Sequence, residues 1–213
     1  MVAIVLASLI GYLLGAIPFG LLMGRATRGI DIREYGSHRT GATNALRTLG
    51  ARPAALVFIL DVGKGLAAVL IARFVLPADS PALHEWAAAA AGVAAIVGHN
   101  WSVYIRFTGG RGVATSTGGL GGMAPWALLV MAPVVFLIIW RSRYVSLGSV
   151  SGAVISPVVV GILALIGTAT LQAFVYAVVA GALVTTSHAD NIARLRAGTE
   201  RKIGQKEQVA THG

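Results

Sequence analysis

Apolar runs long enough to be buried end to end recur along this chain from its first residues to about position 187, separated by short polar stretches. No other feature constrains the fold as strongly. A run of roughly 20 apolar residues spans a bilayer as a helix, and backbone polar groups in lipid must be satisfied within the segment, which favours helices. Charged residues are only 12% of the 213 and mean hydropathy is +0.77, whereas a soluble domain is about 25% charged. The chain therefore reads as an all-α, polytopic membrane protein. Segment 2–23 has no basic leader and no convincing cleavage site, so it reads as a retained span.

The basic residues set the topology. Of 17 Lys and Arg, six lie in 25–52, two in 106–111, two in 141–143 and five in 194–206; only Lys64 and Arg73 fall elsewhere. The positive-inside rule puts these four stretches in the cytoplasm, and it accounts for the net charge of +9 without nucleic acid. Spans are expected at about 3–24, 53–76, 85–105, 150–167 and 169–187. Between 112 and 140, an even number of crossings must fit about 28 residues, so one crossing, about 113–122, must be short or broken. Gly118, Gly119, Gly121, Gly122 and Pro125 mark the expected break. The count is seven, with the N-terminus outside, the C-terminus inside, one domain over 1–204 and a polar tail over 205–213. There is no cysteine, which excludes disulfides, thiolate catalysis and thiolate metal sites.

Four polar stretches thus meet on one face. Gly109, Gly110 and Gly112 around Arg111 lead into an apolar segment, and successive N–H groups beside a guanidinium suit a small anion; a turn needing glycine for geometry alone would look the same. Ser37, Thr43, Asn44 and Arg47 are suited to phosphate or an acyl carbonyl, the last three on one helix face. A basic loop lying on lipid headgroups has the same composition. Ser146 and Ser149 open a span, while Arg141 and Arg143 read as charges that stop transfer. His188 stands at a membrane boundary with Asn191 one turn on, fit for proton transfer; a basic amphipathic tail is the plainer reading. Asp61 and Lys64, i and i+3 inside a span, read first as a structural ion pair, and His99 as a hydrogen-bonded interior histidine.

Taken in order, these stretches resemble the bacterial acyl-phosphate:glycerol-3-phosphate acyltransferases (PlsY type). Residues 36–47, GSHRTGATNALR, are similar to the family's GSGNxGATNxxR; 107–115, FTGGRGVAT, to its F.GGKGVAT; and 188–204, HADNIARLRAGTERKIG, to HxxNIxRLxxGTExKIG. Asp61, Val62, Gly63, Lys64 and Gly65, and residues 144–149, also have counterparts. Three positions depart: His38-Arg39 for Gly-Asn, Ser102 for proline, and Arg111 for lysine. The resemblance implies transfer of a fatty acyl group from acyl phosphate to the sn-1 hydroxyl of glycerol 3-phosphate, giving lysophosphatidic acid and inorganic phosphate. It further implies a multi-pass enzyme of the bacterial cytoplasmic membrane, active on its cytoplasmic face, with no cofactor or metal. By that resemblance Gly109, Gly110, Arg111 and Gly112, with Ser146 and Ser149, hold the acceptor phosphate. Ser37, Thr43, Asn44 and Arg47 hold the acyl phosphate, His188 and Asn191 orient the hydroxyl, and Glu200 braces the tail. A membrane carrier or regulator that binds phosphate-bearing lipids or solutes is the competing reading.

Overall fold

The computed structural model describes residues 1–77 and 79–204; the expected tail over 205–213 lies outside them. Among the described residues the regular structure is helical: α1 (Val2–Ala16), α2 (Phe19–Arg28), α3 (Ala42–Thr48), α4 (Ala51–Phe74), α5 (Pro81–Asn100), α6 (Val113–Met123), α7 (Pro125–Ser142), α8 (Val145–Leu165), α9 (Leu171–Thr186) and α10 (Ala189–Arg196). Four are long and apolar enough to cross a membrane: α1 with α2, α4, α7 and α8. A fifth is added if α9 and α10, bent by 61° at their joint, count together.

Small residues bring the helices together. α1 packs chiefly along α5, where a Cβ at Gly11 or Gly15 would run into the carbonyl oxygens of Ala91 and Ala95. This is the close approach that a G-x-x-x-G stripe allows. Large apolar side chains face outward instead: Trp126, Leu129, Phe136 and Trp140 on α7 are all more than half exposed, an arrangement suited to lipid.

Two expectations are corrected and one is refined. The glycines at 118–122 do not break a helix. α6 runs through them, and they give it contact with α4: a Cβ at Gly118 would strike the Val62 carbonyl and one at Gly122 the Val69 side chain. The interruption falls at Ala124, before Pro125. The first span, expected at about 3–24, is present as one candidate span over Val2–Arg28, with its helix interrupted at Ile17 and Pro18, because proline has no N–H to continue the ladder. The eighth helix begins at Val145, not at about 150, so Ser146 and Ser149 stand in its first turns.

The break in the first span is used. Ser102 Oγ donates to the Ala16 carbonyl at 2.5 Å, and the Tyr12 hydroxyl donates to the Trp101 carbonyl at 2.9 Å. The Ser102 N–H also donates to Thr108 O at 3.1 Å, a bond that proline at this position has no hydrogen to make. At the other end of α4, Arg73 donates to the Gly122 carbonyl and to Glu85 Oε2, both at 2.6 Å. It ties the C-terminal ends of α4 and α6 to the first turns of α5.

Candidate active site

The first polar loop is knotted by Asn44. Its amide nitrogen donates to the carbonyls of Ile32 and Arg39, both at 2.8 Å, and of Tyr35 at 3.2 Å, while its Oδ1 accepts from the Ser37 N–H at 2.9 Å. With both amide hydrogens and its oxygen committed, and the side chain buried, Asn44 shapes the loop that carries Ser37, Arg39 and Thr43. Arg33, gripped by Asp31, donates to Thr108 Oγ1 at 3.0 Å. This bond fastens the loop to the stretch preceding the 109–112 turn.

Gly112, at φ 78°, opens α6 without a side-chain cap. The Ser116 N–H is the first to return to the helix, donating to Gly112 O at 2.8 Å, so the N–H groups before it lack helical partners. Arg111 is held from one side, Nε donating to the Ser187 carbonyl at 3.2 Å and Nη2 to Asp190 at 2.6 Å. Burial pulls the guanidinium below its ordinary pKa, and the Asp190 charge opposes that.

His188 caps α10 and is buried. Its Nδ1 lies 2.8 Å from the Val184 carbonyl, an oxygen that only accepts, so Nδ1 carries the hydrogen and Nε2 the free lone pair. Burial pushes this imidazole below its ordinary pKa; the Val184 bond opposes, and the charge of Arg111 adds to the fall. Glu200 joins the remaining pieces: Oε1 accepts from Ser146 at 2.8 Å and from Asn191 at 2.7 Å, and Oε2 from Arg194 at 2.8 Å. Burial would raise this carboxyl, but these bonds outweigh it and hold it below the usual range. Asn191 Oδ1, buried, has no hydrogen-bond partner among the described residues.

These elements close around one cavity of about 550 Å³. Ser37, Thr43, Asn44, Arg47, Arg111, Gly112, Ser146, Ser149, His188 and Asn191 all reach its wall. Gly109 and Gly110 do not line it; they are backed by the His99 and Asn100 carbonyls and the His99 ring. The Ser149 hydroxyl donates to the Val145 carbonyl at 3.0 Å. Asp61 and Lys64 form the expected ion pair at 2.7 Å, and Asp61 and His99 edge the same cavity.

Sequence reasoning missed the cavity's other half. Beyond the polar groups the wall turns apolar, lined by Leu120 of α6, Met131 and Val135 of α7, Ala153 of α8, and Ala180 and Val184 of α9. Phe58 of α4 and Phe136 of α7, 47% and 69% exposed, also line it. The available signal was the pairing of Gly152 and Ala153 with Ala180 and Gly181, small residues on facing helices. Arg39 also reaches the wall.

The family model described as glycerol-3-phosphate acyltransferase matches residues 5–198. Glycerol-3-phosphate acyltransferase 3 of Dehalococcoides mccartyi is 42% identical over 211 residues, covering 96% of this chain and 98% of that one. The glycerol-3-phosphate acyltransferase of Synechococcus elongatus is 41% identical over 208 residues, 97% of each. Two crystal structures of PlsY (YgiH), an integral membrane glycerol 3-phosphate acyltransferase, superpose closely. The glycerol 3-phosphate form has a TM-score of 0.82 at 35% identity, covering 94% of this chain and 96% of that one. The lysophosphatidic acid form has a TM-score of 0.80 at 34% identity, covering 94% and 95%.

Proposed function

This chain belongs to the glycerol-3-phosphate acyltransferase family, and on that premise we propose that it acylates the sn-1 hydroxyl of glycerol 3-phosphate with acyl phosphate as donor, giving lysophosphatidic acid and inorganic phosphate. One observation carries this reading: a cavity with cationic and hydrogen-bonding groups at one end runs into an apolar slot at the other. An acyl phosphate has the same two-part chemistry, and its reactive carbonyl falls at the junction.

Arg111 and the unpaired N–H groups opening α6 hold the acceptor phosphate, as a helix N-terminus and a guanidinium together favour a dianion. Gly109, Gly110 and Gly112 shape that turn, and Ser146 and Ser149 border it. Arg47, Ser37 and Thr43 take the donor phosphate and the charge growing on its carbonyl oxygen, on a loop that Asn44 keeps in shape. The unpartnered Oδ1 of Asn191 and the Nε2 of His188 accept hydrogen bonds and so orient the attacking hydroxyl. The new ester C–O bond forms as the carbonyl–phosphate bond breaks. Phosphate leaving with three negative charges is a strong base, so the hydroxyl proton ends on it, passed on by His188. The donor is already activated, and positioning supplies much of the acceleration.

The same reading sets residues 1–204 as one unit in the bacterial cytoplasmic membrane, crossing it seven times with the N-terminus outside and the cavity facing the cytoplasm. Support comes from Arg73, which links the ends of α4 and α6 and so puts the close of α6 opposite the cavity's polar end. At about 1.5 Å per residue, the 11 residues of α6 rise roughly 16 Å, a short crossing of a core about 30 Å thick. Exposed Trp101, Tyr104 and Phe107 beside the 109–112 turn are suited to the membrane–water boundary.

Purified protein given palmitoyl phosphate should release phosphate only when glycerol 3-phosphate is present, with lysophosphatidic acid appearing in step. Acceptor-independent release, or solute flux through proteoliposomes without any product, would refute this assignment.

A further inference from the structure

Three buried ionisable side chains lie between the break in the first span and the 109–112 turn, and none has a part in the chemistry above. Lys64 and Asp61 stand one turn apart on α4, Nζ 2.7 Å from Oδ1, both almost wholly enclosed. Lys64 Nζ also donates to the Ile17 carbonyl at 2.9 Å and lies 5.5 Å from the centre of the Phe19 ring. It is thus fixed to both sides of the interruption at Pro18. Asp61 Oδ1 is 3.5 Å from His99 Nδ1. The far edge of that imidazole lies under Gly110, where a Cβ would collide with His99 Nε2 and lie 2.8 Å from Cδ2 and Cε1. The Gly110 N–H donates to the carbonyl of His99 itself at 3.0 Å. The next residue is Arg111, whose side chain reaches the cavity wall.

We propose that Asp61 and His99 are positioning residues: they form a strut, footed on Lys64 and the Ile17 carbonyl, that sets the height of the 109–112 turn and so aims Arg111 and the α6 N–H groups into the cavity. The inference rests on the acceptor site assigned above. A buried ion pair is weak as a source of stability, since desolvation offsets the attraction, and apolar side chains would fill this space in a bundle of alanines and leucines. An ion pair differs from them in having one preferred geometry. The imidazole is a flat, rigid spacer that faces the Asp61 carboxylate, 3.5 Å from its Nδ1, on one edge. Gly110 rests on the other, with no room for even a methyl group between ring and backbone. Rotation of the ring therefore displaces the turn, and the turn carries the anion site.

The test uses the full chain in detergent as wild type, Asp61→Asn, Gly110→Ala, His99→Ala and the last two combined. KM for each substrate, kcat, and amide hydrogen exchange over 109–114 are read together. Asp61→Asn preserves volume, so the answer does not depend on His99→Ala folding. In it, KM for glycerol 3-phosphate should rise about 10-fold, KM for acyl phosphate should hold, and the 109–114 amides should exchange faster, because the ring has lost its partner. Gly110→Ala should cost at least about 10-fold alone but less than about 3-fold on the His99→Ala background, where the missing ring leaves room for the methyl; such non-additivity marks direct contact. Equal changes in both KM values, no change in either, or equal penalties for Gly110→Ala in both backgrounds would overturn the strut. A wild type without turnover would refute the proposed function instead. Exchange over 109–114 in Asp61→Asn would then decide the strut, faster exchange upholding it and unchanged exchange ending it.

Discussion

The two halves of the cavity are built by opposite means. The polar half comes from four separated stretches, and directional bonds fix each group: Asn44 to three carbonyls, Arg111 to Asp190, Glu200 to Ser146, Asn191 and Arg194. The apolar half comes from α6, α7, α8 and α9, and its space is left by small residues between large ones. In the first, position is specified by hydrogen bonds, so a change of one atom matters. In the second, only volume is specified, so chemistry is tolerant and size is not. On the proposed function, the end that performs chemistry should thus be sensitive to charge and pH, and the end that takes the chain should be sensitive to bulk.

The largest expected break in this contrast is at Arg47 and His188. Alanine at either should lower kcat/KM for acyl transfer by about 100- to 1000-fold, the range for losing one well-placed electrostatic group, in a protein that still elutes as a single species. Retained turnover in either variant would end its assignment. On the apolar side, Ala153→Phe should lower activity on palmitoyl phosphate by about 10- to 100-fold while sparing octanoyl phosphate, since each excluded methylene costs about 0.8 kcal/mol. Equal losses on both donors would mean that the slot does not hold the chain.

A smaller, graded effect follows from pH. In the proposed mechanism His188 accepts as the neutral imidazole, and burial holds its pKa below the ordinary histidine value near 6.5. The rate should therefore be flat through neutral pH and fall only as pH drops through that lowered pKa. The acid limb should vanish in a slow His188→Gln enzyme and persist in Ala153→Phe; an acid limb common to all three belongs to another group. Smallest in activity is Arg73→Met, which leaves the Gly122 carbonyl and Glu85 without their partner at the end away from the chemistry. It should cost about 1–3 kcal/mol of stability, read as a lower Tm, with turnover per folded molecule unchanged.

The polar half was largely legible in the sequence because its residues are costly in an apolar chain: an arginine, histidine or asparagine beside a span has few reasons to be there. The ion pair of Asp61 and Lys64 was legible for the same reason. The apolar half was not, because a leucine facing lipid and one lining a slot are the same letter. The glycines at 118–122 show the ambiguity most clearly. A glycine can break a helix or let another backbone approach, and only the partner decides; here the partners are Val62 and Val69, some 50 residues away. Gly109 and Gly110 pose the same question, and their backing by His99 was invisible from spacing. A short segment at about 113–122, by contrast, was expected from arithmetic on the basic residues, and the helix found there, α6, is 11 residues long.

That the cavity is lined in part by the exposed Phe58 and Phe136 has a consequence for how the proposed donor would be met. A lipid-soluble reactant arriving there is counted per unit area of membrane and not per litre of solution. Mixing inert lipid into the bilayer would thin the donor and slow the reaction, whereas adding buffer at fixed membrane composition would thin only the water-borne acceptor. A protein working as proposed would thus respond to two independent concentrations, one in two dimensions and one in three, and the junction of its cavity is where they would meet.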